Sequence, residues 1–105
     1  MIQISIDNDA ITIDGHSEDA PHGQSVPCEA VTVLVNTYIA SLAEYKEPKY
    51  ELWSGHFAIK LDLIKYLEGT ILTRAFKAGL EMVAQAYPEY ISMISRSIAK
   101  SFPQK

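Results

Sequence analysis

IQISIDNDAITID, residues 2–14, is two short alternating patterns joined by a turn. Ile2, Ile4 and Ile6 alternate with Gln3 and Ser5, and Ile11 and Ile13 alternate with Thr12 and Asp14. A period of two places each isoleucine set on one face of a strand that is buried on that face and wet on the other. Asn8-Asp9 between them is a turn signal. The expectation is a β-hairpin whose second strand ends by presenting Gly15 and His16 at the edge of a sheet.

Working outward, Ser17–Gln24 is a polar loop punctuated by Pro21 and Gly23. From Val26 the period changes. Val31, Leu34, Val35, Tyr38, Ile39 and Leu42 recur at the three-and-four spacing of an amphipathic helix. Ser25 suits the N-cap, Pro27 fits only because it falls in the first turn, and the helix should fade by Glu47, ahead of Pro48. Tyr50–Trp53 and Phe57–Leu63 read as two more strands around a Ser54-Gly55 turn, with Phe57, Ile59 and Leu61 on one face. A second helix is expected from about Gly69 to Ala86, with an apolar stripe of Leu72, Phe76, Leu80, Val83 and Tyr87. Gly79 leaves room there for close packing, and Pro88 ends the helix. Tyr90–Ile94 suits a last strand, whereas Ile91, Ile94, Ile98 and Phe102 also fit a third helix over Glu89–Phe102. The order is thus β-β-α-β-β-α with a possible final strand. The fold class is α/β, an α+β two-layer sandwich with both helices on one face of a small, mostly antiparallel sheet. One domain over residues 1–94 and a C-terminal tail over 95–105 are expected.

The totals narrow the function. A chain of 105 residues suits one domain. A core this small gains from self-association, so a homodimer is expected. Hydrophobic residues at 48% indicate a packed protein rather than a disordered one. A net charge of −4, with no block of lysine and arginine, argues against a phosphate-gripping nucleic-acid binder but is compatible with a basic peptide substrate. The first seven residues have neither the cationic start nor the apolar run of an export signal. No stretch reads as apolar for the length of a membrane helix. The lone cysteine cannot close a disulfide within the chain. Together these features suggest a cytoplasmic protein with a reduced thiol.

That cysteine, Cys28, falls in the first turn of the first helix. Backbone N–H groups there lack intrahelical partners and the helix dipole is positive, so both favour thiolate over thiol. If the loop folds back, His16 can pair with the thiol as base and then serve as acid to a leaving amine, while N–H groups near Cys28 hold an oxyanion. Cys28 is also three residues before Val31, on the apolar stripe, where a lone thiol is commonly a core residue. A metal site from His16, His22 and Cys28 has less support, because paired ligands at short zinc-type spacing are missing. His22 reads more simply as a solvated loop residue and His56 as a strand-end or turn residue. Glu18 and Asp19 read as a solvated loop face. No cofactor or metal is expected.

Gly15-His16-Ser17, a variable loop, then Gly23-Gln24-Ser25-Val26-Pro27-Cys28-Glu29-Ala30-Val31-Thr32 resembles the ribosomal-processing cysteine protease family, Prp. That family's pattern is Gly-His-Ala, then Gly-x-Asp-Ile-Val-Cys-Ala-Ala-Val-Ser, at the same His-to-Cys spacing. Gly79-Leu80-Glu81-Met82-Val83-Ala84-Gln85-Ala86-Tyr87-Pro88-Glu89-Tyr90-Ile91 is similar to the family's ending, Gly-Leu-x-x-Ile-Ala-x-x-Tyr-Pro-x-Tyr-Val. The likeness covers nearly the whole chain, up to Ile94.

The resemblance implies a small α/β homodimer that removes a short N-terminal extension from a large-subunit ribosomal protein. Cys28 would be the nucleophile and His16 the general base, with Ser17–Gln24 closing over the substrate peptide. Gly15, Ser17, His22, Gly23, Ser25 and Thr32 would bind substrate or support the dyad. The expected partner is a protein with a cleavable N-terminal segment, with no direct nucleic acid or membrane contact. The sequence departs from the pattern around the dyad. Ser25 stands in place of Asp and can cap the helix without supplying a carboxylate. Pro27 removes a backbone donor just before Cys28. Glu29 brings a negative charge beside the thiol. Thr32 keeps a hydroxyl where the family has Ser, and Ser17 replaces Ala. These changes suit a paralogue that trims a related protein, such as a phage capsid or scaffold protein. The alternative is a catalytically idle dimeric module that binds a ribosomal or phage protein tail.

Overall fold

The alternating isoleucines form two of the three interior strands of the sheet. A computed structural model describes residues 1–15 and 26–96. The elements are β1 (Ile2–Asp7), β2 (Ala10–Asp14), α1 (Val26–Ala43), β3 (Tyr50–Trp53), β4 (His56–Lys60), α2 (Leu67–Ala86) and β5 (Ile91–Arg96). The strands make one five-stranded sheet in the order β3-β4-β2-β1-β5. Three pairings are antiparallel, and β1 with β5 is parallel. This is the mostly antiparallel sandwich that the apolar spacing implies.

Register puts the large apolar residues on one face. Ile4 lies opposite Ile13 and Ile6 opposite Ile11. Ile11 in turn faces Ile59, and Ile13 faces Phe57. Both helices cover this face, with Val31, Val35, Tyr38 and Leu42 from α1 and Phe76 and Leu80 from α2 all buried in the same core. Burying each such side chain contributes about 2 kcal/mol. Tyr38 stacks on Phe76 with ring centroids 4.2 Å apart, and Phe57 meets Phe76 edge-on at 6.0 Å. These contacts join α1, α2 and β4. Asp7 closes the first hairpin by accepting the Asp9 and Ala10 amides on its carboxylate.

The helices approach closely at Gly79. A Cβ built there would come 2.8 Å from a terminal methyl of Leu34, so the missing side chain lets α1 and α2 pack tightly. Pro88 ends the second helix as expected. Element ends move by a few residues. Helix α1 stops at Ala43, α2 starts at Leu67, and β4 covers His56–Lys60 instead of reaching Leu63.

Of the two readings of the C-terminal stretch, the strand holds: residues 91–96 form β5 rather than part of a third helix. Ile91 is buried beside Ile2, whereas Ile94, on the opposite face, is 49% exposed. A helix would have put Ile91 and Ile94 on one side. One expectation is corrected, that no stretch is apolar for the length of a membrane helix. Over its 18 residues α1 has a mean hydropathy of 1.4, which is long and apolar enough to cross a bilayer by length and composition. Here its Val31, Val35, Tyr38 and Leu42 are spent on the core.

Candidate active site

Cys28 lies in the first turn of α1, half-buried, at the edge of the core. Its helix face continues through Thr32 and Asn36, each one turn further on, because residues four apart share a face. Together they form one wall of a cavity of about 300 Å³. The opposite wall comes from the β3–β4 hairpin, through Leu52, Trp53, Ser54, Gly55 and His56. Ile2 and Ile13 form the apolar floor, and Gly15, at the exit of β2, stands at the rim. Thus the thiol opens into a cleft whose far side is supplied by residues distant in sequence.

Each departure near Cys28 has a place. Pro27 is buried. Glu29 is exposed; adjacent helical residues point about 100° apart, so its carboxylate sits on the solvent side and not in the cleft. Thr32 Oγ1 donates to the Cys28 carbonyl at 2.8 Å. That bond ties the hydroxyl to the helix backbone, a local use for the polar side chain. His16, Ser17, His22, Gly23 and Ser25 lie outside the described residues. Of the residues singled out from sequence, Gly15, Cys28 and Thr32 are brought together around this cavity.

Gly15 has a φ of +105°, in the region open to glycine. Its N–H donates to the Gly55 carbonyl at 2.9 Å. The exit of β2, where His16 follows, is therefore fastened to the β3–β4 turn. Beside this bond, His56 bridges two acids. Its Nδ1 is 2.5 Å from Asp14 Oδ1 and its Nε2 is 3.0 Å from Glu51 Oε1. Trp53 stacks on the same ring at 4.3 Å. The Asp14 carboxylate first, and the Glu51 carboxylate second, raise the His56 pKa above its ordinary value. His56 does begin a strand, as expected, but its tie to Asp14 and Glu51 depends on strand pairing. Asn36, Leu52, Trp53 and Gly55 were not singled out from sequence. Only Asn36 carried a local signal, as the next turn after Cys28 and Thr32. Among the described residues, no group of three or more histidines, cysteines or acids is arranged to hold a metal ion.

The cleft can admit a peptide carbonyl beside Cys28, with helix N–H groups of the first turn nearby to stabilise negative charge. Comparison with solved structures supports the architecture. The essential ribosomal processing protease Prp from S. aureus, in complex with a covalently linked product peptide, superposes with a TM-score of 0.79 at 18% identity, covering 92% of this chain and 99% of that one. The same S. aureus protease with a substrate peptide gives 0.79 at 16% identity, covering 91% and 100%. SMU.848 from Streptococcus mutans gives 0.78 at 20%, covering 92% and 95%. At these identities the likeness establishes the fold. No curated protein matches the sequence. The family model of the cysteine protease Prp matches residues 1–92, so the chain belongs to the Prp family and is a cysteine protease.

Proposed function

We propose that this protease removes a short N-terminal extension from a large-subunit ribosomal protein, with Cys28 as nucleophile and His16 as general base. The observation that carries the reading is the position of Cys28. It sits at the N-terminal end of α1, in a cleft whose rim holds Gly15, the residue just before His16. The S. aureus protein of the same fold is a ribosomal processing protease that binds substrate and product peptides. Family membership and this placement support carrying both roles over by position.

In the proposed reaction, His16 takes the Cys28 proton and the sulfur attacks the substrate carbonyl carbon. The tetrahedral oxyanion is held by backbone N–H groups of the first turn, to which Pro27 contributes none. The C–N bond breaks as His16 returns the proton to the leaving amine, leaving an acyl group on sulfur. Water, deprotonated by His16, then hydrolyses the thioester and restores the thiol. Gly15, Ser17, His22, Gly23, Ser25 and Thr32 complete the proposed substrate-binding and supporting set, and residues 17–24 close over the peptide. The enzyme acts as a homodimer in the cytoplasm, where its substrate is made.

The test pairs two variants. Cys28→Ala should abolish cleavage of an N-terminally extended ribosomal protein while keeping the folded circular-dichroism spectrum; persistent turnover would refute the nucleophile. In the wild type, iodoacetamide should alkylate Cys28 at pH near 6.5, and His16→Ala should slow that reaction at least about tenfold. Loss of ribosomal substrate cleavage with an activated thiol retained would point to the paralogue that trims another protein, such as a phage capsid or scaffold protein.

A further inference from the structure

The edge of the sheet beside the cleft carries main-chain groups that no described element uses. Strand β3 is the outermost strand on this side, paired only with β4 among the described residues. Two backbone hydrogen bonds set the direction of every main-chain group on β4. Gly15 N–H reaches the Gly55 carbonyl, and Leu61 N–H reaches the Asp9 carbonyl. In an antiparallel ladder, groups at alternate residues point the same way, so the odd-numbered residues of β4 bond toward β2. The even-numbered ones, His56 and Ala58, bond toward β3, where they meet Trp53 and Glu51. Tyr50 and Leu52 therefore direct their N–H and C=O groups away from the sheet.

Exposed edges of this kind are normally blunted by lysine, proline or a bulge, because they invite a further strand. Strand β3 is Tyr-Glu-Leu-Trp, with all four residues exposed and no lysine or proline within it. Leu52 also lines the Cys28 cavity. The open edge thus runs directly into the cleft that holds the nucleophile. A protease must hold its substrate extended around the scissile bond, and an exposed edge recognises extended main chain whatever the side chains.

We infer that the substrate polypeptide binds as a sixth strand on the β3 edge, with the Leu52 N–H and C=O as its anchoring main-chain pair. This deepens the reading above and rests on it for the role of Cys28. The occupant is an extended peptide segment entering the cleft. Side-chain discrimination then falls to the cavity walls, while β3 supplies register.

The experiment measures alkylation of Cys28 by two reagents, acetyl-Ala-Ala-Ala chloromethyl ketone and iodoacetamide. The first presents a peptide backbone and the second does not. Leu52→Pro removes the outward N–H, at an edge position where proline costs no ladder bond. The ratio of the two rates should fall about tenfold in Leu52→Pro, the loss expected for one or two main-chain hydrogen bonds. Methylating the peptide amides of the chloromethyl ketone one at a time should produce the same fall, at one position, in the wild type. That second arm decides the matter if Leu52→Pro does not fold. A ratio unchanged by every methylation overturns the inference. So does a Leu52→Pro protein that sediments as a smaller species than the wild type, because the edge would then belong to a second copy of the chain. Failure of the protease reading is separate: it appears as iodoacetamide alkylation indifferent to His16→Ala.

Discussion

Gly15 donates its N–H to the carbonyl of Gly55 at 2.9 Å, tying the exit of β2 to the β3–β4 turn on the rim of the Cys28 cleft. The bond requires the backbone of Gly15 at φ +105°, and a Cβ there would collide with the Met1 carbonyl oxygen. Gly15→Ala should therefore destabilise the fold by about 2 kcal/mol, from backbone strain and displacement of Met1. Urea unfolding reads this as a lower midpoint with an unchanged slope. A midpoint equal to that of the wild type would mean the β2 exit is not held as described.

His56 should make one part of the molecule sensitive to pH. Its pKa is raised above 6.5 by Asp14 and then Glu51, so the folded state favours the imidazolium. Such a group contributes stability that is fully present below the unfolded pKa and is lost as pH rises through the folded one. The expected window opens at about pH 6.5 and extends upward. His56→Gln should flatten the urea midpoint across it. The chain's only tryptophan, Trp53, stacks on this ring and gives a second readout. A cationic imidazolium quenches indole emission, so fluorescence should rise through the same window in the wild type and stay flat in His56→Gln. Emission that rises equally in both proteins would contradict the stacked pair.

A buried polar relay joins the two helices. Thr73 Oγ1 donates to the Gly69 carbonyl at 2.8 Å, and Tyr38 Oη lies 2.7 Å from the same Thr73 oxygen. Because the threonine proton is committed to Gly69, the tyrosine hydroxyl is the donor in the second bond. Tyr38→Phe removes that donor and leaves Thr73 satisfied, so it should cost about 1 kcal/mol. Thr73→Val leaves the buried tyrosine hydroxyl without its acceptor and should cost about 2 kcal/mol. Urea midpoints of the two variants test the order. Equal losses, or the reverse order, would show that the tyrosine hydroxyl has another outlet.

Local patterns made much of this legible. Ile2 to Ile13 alternate in sequence because one face of the hairpin is core, and Cys28 can be assigned to the first turn of a helix from Pro27 and the apolar spacing that follows. Long-range pairing leaves no such trace. Ile91 and Ile94 suit either a strand or a helix until β5 is seen parallel to β1, where Ile91 meets Ile2. His56 and Asp14 are 42 residues apart and become neighbours only because β4 pairs with β2. The second wall of the cleft has the same origin. Leu52, Trp53 and Gly55 face Cys28 through sheet order, so a reading confined to helix and strand periods finds the thiol but not the surface it faces.

Gly79 links packing to the site, because its neighbour Leu34 sits on α1 between the turns that carry Cys28 and Tyr38. An alanine Cβ at this position would press on the far end of a flexible side chain rather than on backbone. Alanine also favours the helix by about 1 kcal/mol relative to glycine. These effects oppose, so Gly79→Ala should stay within about 1 kcal/mol of the wild type. Gly79→Leu has no such escape. It must push α1 away from α2 and should cost about 3 kcal/mol through overpacking. Displacement of α1 also moves Cys28 relative to the β3–β4 wall, which belongs to the sheet. Alkylation by the peptide chloromethyl ketone should therefore slow in Gly79→Leu, even under conditions where the variant is fully folded. A leucine variant as stable as the alanine one, with unchanged alkylation, would show that the two helices do not meet at Gly79.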